Sequence, residues 1–479
     1  MERDQFGRAY AILILSTVLV LIYPWVHANV PWLKEHFRSY AGVNDLFSNP
    51  TEDTLITGFQ DSLLPSDPAD TIPAPKPESV PFPSKIQEGM NTFFGALRAG
   101  NSQVRIAWFG DSAIEGDLIC QTVRDSLQRK FGGTGNGFAP VIARVRGFRH
   151  TIQDENTGKW YARYLGQKNP RSIPFGLAGS YFLADTLPSL FDSLYIHAHD
   201  TAAYALLPWE TLPGASFKAT RSAQTVRLFY GKPDSLTGYR ADDPICKVEI
   251  GEHARYLRLH PTAELTETRL SDARIREIGF SVASRFEFPV FGISMESPTG
   301  VILDNLPSRG NHGDRLMQTP VEMYQAFDSL MDYDLVILQF GLNALAAEME
   351  DFSWYEAEMT RLVRFMRQAF PGKPILIVAP TDRAIKWEEK LMTDPSLPRV
   401  TAVLKRVSER EKTSFFSFYE AMGGSGTMID WVDNKNPRLA NLDYTHLNLQ
   451  GAEIAGRLFL QYLLKEYDAY LAGKNEPVE

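Results

Sequence analysis

Hydrophobic positions along this chain follow three rhythms, and each predicts a different kind of element. The first is a single run, Ala9 to Val26, apolar apart from Ser16 and Thr17 and just long enough to cross a bilayer. Tyr23, Trp25 and Trp32 suit an interfacial aromatic belt, Arg3 and Arg8 precede the run, and no small-residue cleavage pattern follows it. An uncleaved transmembrane anchor over residues 1–28 is therefore expected, with the bulk of the chain outside the cytoplasm. Residues 29–84 turn polar and end in DPADTIPAPKPESVPFPS, a proline-rich linker that cannot bury much surface.

The second rhythm alternates short apolar runs with helical periodicity. QVRIAWFG (103–110), DLVILQFG (334–341) and KPILIVAP (373–380) read as strands buried on both faces, the pattern of a parallel sheet. Helical spacing is expected in KIQEGMNTFFGALRAG, from Ala113 to Phe131, from Trp354 to Phe370 and from Gln450 to Tyr467. The third rhythm, between about Arg149 and Glu296, is short alternation punctuated by Gly, Pro, Asp and Asn, as in DSLYIHAH, QTVRLFYG, CKVEIG, ARYLRLHP and IREIGFSV. It predicts an antiparallel β-sandwich over 149–296, inserted into an α/β domain formed by 85–148 and 297–479.

Composition narrows the classes. The 479 residues are too many for one typical compact domain, and a formal charge of −9 with 22% charged residues lacks the basic footprint of a nucleic-acid binder. Cys120 and Cys246 stand alone, with no metal-ligand spacing and no disulfide framework, and no metal or cofactor is implied. FGGTGNGF lacks the Gly-Lys-Ser/Thr of a phosphate loop.

Candidate chemistry sits where the strand runs end. In FGDSAIEG, Ser112 follows an apolar run and precedes a helical one, which fits an ordinary helix N-cap or a nucleophile at the carboxyl end of a parallel strand. FGLNAL carries Asn343, and NLDYTHLNLQG carries Asp443 and His446 three residues apart on a turn before the last helix. His446 fits as the base for Ser112 and Asp443 as the group orienting its imidazole. The Ser112 N–H, a glycine N–H and the Asn343 amide would supply oxyanion donors. Aromatic residues of the inserted segment, including Trp160, Tyr161, Tyr164, Phe175, Tyr181 and Trp209, fit sugar stacking or, for most of them, core packing.

GDS at 110–112, GLN at 341–343 and DYTH at 443–446 resemble blocks one, three and five of the SGNH (GDSL-like) hydrolases, in the family's order. The resemblance covers roughly Lys85 to Val141 and Pro298 to Tyr467, outside the insertion. It implies a flavodoxin-like three-layer fold with nucleophile Ser112, base His446, orienting Asp443 and oxyanion donor Asn343. The glycine of block two then falls at Gly310, with Gly313 the alternative.

A jelly-roll-like insert between the first two blocks is similar to the peptidoglycan O-acetylesterases, whose insert resembles a carbohydrate-binding module. The sequence departs from that group at Ala113, where a histidine or another polar residue often follows the nucleophile. Membrane-anchored members that work beside a membrane-bound O-acyltransferase are the other similar group. The expectation is a serine esterase acting on an O-acylated peptidoglycan or surface polysaccharide, anchored in the inner membrane of a Gram-negative envelope and facing the periplasm. An O-acyltransferase using the same triad and a non-catalytic glycan-binding protein are the alternatives.

Overall fold

The structure is a computed structural model, and it describes residues 90–171, 173–186, 204–233 and 244–474. The expected membrane span and linker, and the expected strand DSLYIHAH, lie outside these residues. Among the described residues no helix is long and apolar enough to cross a membrane.

In chain order the main elements are α1 (Met90–Ala99), β1 (Gln103–Gly110), α2 (Leu118–Phe131), β2 (Gly137–Ala139), β3 (Ile152–Thr157), β4 (Trp160–Tyr164), β5 (Ser180–Ala184), β6 (Gly214–Tyr230), β7 (Ile245–Ile250), β8 (His253–Arg258), β9 (Thr266–Ala283), β10 (Pro289–Glu296) and β11 (Gly300–Pro307). Then follow α3 (Val321–Met331), β12 (Tyr333–Gln339), α4 (Ser353–Ala369), β13 (Ile375–Ala379), the hairpin β14 (Ala384–Trp387) and β15 (Lys390–Thr393), α5 (Leu397–Glu411), β16 (Ser414–Ser417) and α6 (Leu449–Lys474).

Five parallel strands form one sheet in the order β11-β1-β12-β13-β16. Counted within the sheet this is 2-1-3-4-5, the flavodoxin-like order, whose ligand crevice opens at the carboxyl ends of the first and third strands. β1 shows why the sheet is buried on both faces. Val104, Ile106 and Trp108 join α1, α2 and α6 in one core, while Ala107 and Phe109 join α3, α4 and α5 in the other. The period of two in a strand whose side chains are buried on both faces demands helices on both sides. Gly110 is level with Pro307 of β11 and Gln339 of β12, so three loops leave the sheet side by side.

Where the sequence predicts a jelly-roll-like sandwich, the described residues form nine antiparallel strands hydrogen-bonded into one sheet. It runs β4-β5-β10-β6-β9-β7-β8, with β2 added beside β10 and β3 beside β6. β2 belongs to this sheet although the sequence reading gave residues 137–139 to the α/β domain. The sheet folds over on itself. β4 and β9 are four places apart in the order, roughly 19 Å in a flat sheet, yet the rings of Trp160 and Phe280 lie 6.4 Å apart. Trp160 Nε1 also donates to the Gly214 carbonyl at 3.1 Å. The register of β6 and β9 shifts between Lys218 and Thr225, where the long strands bend.

The two sheets share a core and a buried charge network. Phe327 on α3 meets Phe138, Phe229 and Phe291 of the antiparallel sheet at 6.1, 5.5 and 5.9 Å between ring centroids. Arg105, fully buried in β1, donates from Nε to Asp304 at 2.7 Å and from Nη1 to Glu296 at 2.6 Å. Asp304 also accepts from the Phe138 backbone N–H and from Tyr333 Oη. Arg227 reaches Glu296 from the other side at 3.3 Å. The chain leaves the α/β portion at Gly132, directly after α2, and returns at Gly300, the first residue of β11, where the Val301 N–H donates to the Gly132 carbonyl at 2.9 Å. A Cβ on Gly300 would lie 2.2 Å from the Gly132 carbonyl carbon, so this crossing requires glycine.

Removing one partner from a buried ion pair leaves an uncompensated charge. Asp304→Ala should therefore cost about 3–5 kcal/mol, measured as a lower urea midpoint with an unchanged slope. Burial would raise the Glu296 carboxyl, but Arg105 and Arg227 overcome it and hold the group down at about 2. A depressed carboxylate stabilises the fold above its unfolded value and loses that contribution as pH falls. Stability in acid titration should thus decline from about pH 4.5 toward pH 2, and Glu296→Gln should flatten that limb.

Candidate active site

Ser112 stands on the turn that follows β1 and caps no helix. Residues 111–117 form successive tight turns, closed by Glu115 N to Ser112 O at 3.3 Å and Asp117 N to Ile114 O at 2.8 Å. The helix expected from Ala113 begins only at Leu118. Ile114 is fully buried and packs against Gly110, where a Cβ would come within 2.9 Å of its Cδ1, so the apolar rhythm continues although the backbone is not helical. Asp117 occupies the N-cap position at φ 62° without capping. Its buried carboxylate instead takes two 2.9 Å bonds from Arg124 and a further bond from Thr151 Oγ1, with Arg149 at 3.5 Å. Those cations hold its pKa below the ordinary value despite burial.

The loop before α6 brings Asp443 and His446 to this turn. Ser112 Oγ lies 3.0 Å from His446 Nε2, and His446 Nδ1 lies 2.7 Å from Asp443 Oδ2. A carboxylate only accepts, so Nδ1 carries the proton and Nε2 faces the hydroxyl as an acceptor. Asp443 Oδ1 accepts from the Thr445 and His446 backbone N–H groups, both at 3.0 Å. Partial burial opposes the charge, but these donors and the imidazole hold Asp443 below its usual pKa. Tyr444 between them has φ 53°, a left-handed conformation costly for a residue with a side chain. It is held there by its hydroxyl bond to Asp433 at 2.7 Å and by Ala384 N, which donates to its carbonyl at 2.9 Å. Such a carboxylate–imidazole–hydroxyl relay makes a serine nucleophilic.

Asn343, after β12, faces the same crevice. Its Nδ2 donates to Asp111 Oδ2 and to the Asn311 carbonyl, both at 3.1 Å. Two acceptors fix the orientation of the amide and engage both of its hydrogens, so it can serve an oxyanion only by sharing or exchanging one of these long bonds. Gly310, at φ 66°, has open space before its α-carbon and directly precedes Asn311. Gly313, at φ 120°, is buried with Leu362 and Met359 packed against it. Of the two glycines, Gly310 has the accessible position.

The sequence reading missed Asp111 and Asn311. Asp111 is buried, and burial lifts its carboxyl to about 6 against the pull of the Ala113 N–H, His446 and Asn343. Asn311, fully buried, shapes its loop by accepting from Gly313 N at 2.8 Å and donating to Ser308 Oγ at 3.2 Å. Their signals were adjacency to Ser112 and to Gly310. Of the six aromatics, Phe175, Tyr181 and Trp209 are core, while Trp160, Tyr161 and Tyr164 are half-buried. Among the described residues no group of three or more His, Cys, Asp or Glu side chains is placed to hold a metal.

Residues 282–454 match the GDSL-like lipase/acylhydrolase family, a span that includes Gly310, Asn343, Asp443 and His446 and begins after Ser112. A peptidoglycan O-acetylesterase structure superposes with a TM-score of 0.59 at 19% identity, over 79% of this chain and 96% of that one. A salicylyl-acyltransferase from a tetracycline biosynthetic pathway gives 0.27 at 14% identity over 68% and 99% of the two chains. A family two carbohydrate esterase from Cellvibrio japonicus gives 0.24 at 9% over 67% and 99%. No curated protein sequence matches the chain. Residues 282–454 thus carry the pattern of the GDSL-like (SGNH) hydrolases, and the likeness to the O-acetylesterase structure is one of fold. The protein is an enzyme, an esterase or an acyltransferase.

Asp111→Asn retains an acceptor for the Ala113 N–H but sets an amide against Asn343. It should lower kcat for ester turnover about tenfold or more while changing KM little, because a displaced oxyanion donor acts mainly in the transition state. The Asp111 carboxyl, raised in the fold, favours the folded state below about pH 4 and loses that contribution as pH rises through about 6.

Proposed function

We propose that this enzyme is a serine esterase that removes O-acetyl or similar O-acyl groups from an extracytoplasmic glycan through an acyl-enzyme on Ser112. The observation that carries the reading is the relay from Asp443 through His446 to Ser112, with links of 2.7 and 3.0 Å. The fold-level likeness to a peptidoglycan O-acetylesterase supports an acetylated envelope glycan as substrate class. The apolar run 9–26 supports a membrane anchor that presents the enzyme to that glycan.

In this mechanism Ser112 Oγ attacks the acyl carbonyl carbon while its proton passes to His446 Nε2. The oxyanion is met by the Ser112 and Gly310 N–H groups and the Asn343 amide. Asp443 stays ionised and steadies the imidazolium. His446 then gives the proton to the departing sugar oxygen, the C–O bond breaks, and acetyl-Ser112 remains. Water attacks the acyl carbon with His446 as base, and the acid leaves as Ser112 recovers its proton. A sugar hydroxyl in place of that water would make the same intermediate a transferase.

The test is fluorophosphonate labelling of the full chain, joined to acetate release from O-acetylated glycans with and without acceptor sugars. Wild type should label and release acetate, whereas Ser112→Ala and His446→Ala should lose both by about a thousandfold or more. Folded wild type that neither labels nor releases acetate would overturn the reading. Acetate moved to the acceptor rather than to water would establish the transferase.

A further inference from the structure

Of the phenylalanine, tyrosine and tryptophan side chains among the described residues, two stay exposed, Phe148 at 46% and Trp354 at 38%. They come from distant parts of the chain, Phe148 from the segment between β2 and β3 and Trp354 from the first turn of α4, yet both rest on one short loop. Arg309 holds its guanidinium over the Phe148 ring at 5.5 Å, and His312 meets the Trp354 ring edge-on at 5.5 Å between centroids. Between these two contacts lie Gly310, the accessible glycine, and Asn311, whose carbonyl holds the Asn343 amide.

Each ring is braced. The carboxylate of Glu115, on the Ser112 turn, accepts from the Arg309 guanidinium at 2.5 Å. A Cβ on Gly116, the next residue of that turn, would lie 3.7 Å from Phe148 Cε1, so the ring lies against the turn that bears the nucleophile. On the other side Trp354 Nε1 donates to Met349 Sδ at 3.2 Å, and the buried Tyr355 ring packs on Trp354 and His312 at 5.4 and 6.2 Å. Rings already held in place lose little freedom when a ligand covers them.

Single exposed apolar side chains need no explanation, but two aromatic ones against the same catalytic loop do. What covers them follows from the alternation. One ring is followed by Arg309, Gly310, Asn311 and His312 and then by the second ring, with the Ser112 turn alongside. A long acyl chain gains most from continuous apolar contact, and a protein partner needs a contiguous face of roughly 800 Å². A glycan chain has the matching alternation, since a pyranose carries an apolar C–H face and a rim of hydroxyls that the arginine, the histidine and the loop amides can meet.

We infer that Phe148 and Trp354 are stacking platforms for the sugars on either side of the acylated residue, so that the enzyme acts on residues within a glycan chain rather than on free sugar esters. The inference rests on the esterase reading for its role in turnover but not for the binding of the chain.

The test measures turnover by the full chain on O-acetylated monomers and oligomers of peptidoglycan strands, chitin and xylan. Calorimetry on Ser112→Ala protein with the unacetylated sugars reads binding separately. For at least one glycan, kcat/KM should be at least about tenfold higher for the oligomer than for the monomer, and the oligomer should bind more tightly. Phe148→Ala and Trp354→Ala should each lower kcat/KM for that oligomer about tenfold more than for its monomer, mainly through KM. The double variant should lose about a hundredfold, because rings that hold different sugars act independently. Phe148→Tyr and Trp354→Phe, which keep a ring, should recover most of the loss, whereas Phe148→Leu, which keeps only apolar volume, should not. Equal turnover of monomer and oligomer for all three glycans, or substitutions that lower both alike, would overturn the inference. So would a preference for p-nitrophenyl laurate over the acetate that disappears with the same substitutions, which would assign the rings to an acyl chain. No turnover on any ester, with oligosaccharide binding that still needs both rings, would overturn the esterase reading and leave the platforms standing. Absence of both turnover and binding would overturn both.

Discussion

A guanidinium buried in the middle of a parallel strand is the constraint around which the rest of this molecule is arranged. Arg105 cannot be solvated where it lies, so β11 must supply Asp304 and β10 must supply Glu296, and only one registration of the two sheets does both. Asp304 then has capacity left for the Phe138 N–H, which draws in β2, and for the Tyr333 hydroxyl at the start of β12. One charge cluster thereby ties the antiparallel sheet to the three strands whose far ends carry the reactive loops. Apolar packing through Phe327 adds stability at the same junction without specifying register.

The site depends on that registration more than on any helix. Three strands end level, so the turns bearing Ser112, Asn311 and Asn343 meet without long excursions. Only His446 and Asp443 arrive from elsewhere, on a loop whose Tyr444 is held in a left-handed conformation by Asp433 and the β14 hairpin. Rigid strand ends carry the electrophile's environment and a braced loop carries the base, so the two can be tuned by different parts of the chain.

Much of this was legible in the sequence because it depends on local rhythm. The strands QVRIAWFG, DLVILQFG and KPILIVAP, the helix expected at Trp354 to Phe370 and found at Ser353–Ala369, and the polar residues closing each run lie where the pattern put them. What the pattern could not show were partnerships at long range. Arg105 reads as a polar blemish in an apolar strand until its partner 199 residues away is known. Asp111 reads as one letter of a tripeptide until Asn343 is set beside it. The misplaced start of α2 has the same origin: Ile114 keeps the apolar rhythm, yet Gly110 receives it as a plug rather than as a helical turn. The folding of the antiparallel sheet on itself is a tertiary property of two long bent strands, and alternation alone reports only that strands exist.

The glycine contact where the chain leaves the end of α2 and re-enters at β11 also makes the antiparallel portion a closed excursion. Gly132 and Gly300 touch, although 168 positions separate them by subtraction of their numbers. The entropic cost of closing a loop grows only with the logarithm of its length, so such an excursion can lengthen or shorten greatly with little penalty to the sheet that hosts it. The enclosed portion is in effect a pendant whose clasp is two glycines, and its size is free to vary while its point of attachment, level with Gln103 at the end of β1 away from the reactive turn, is not.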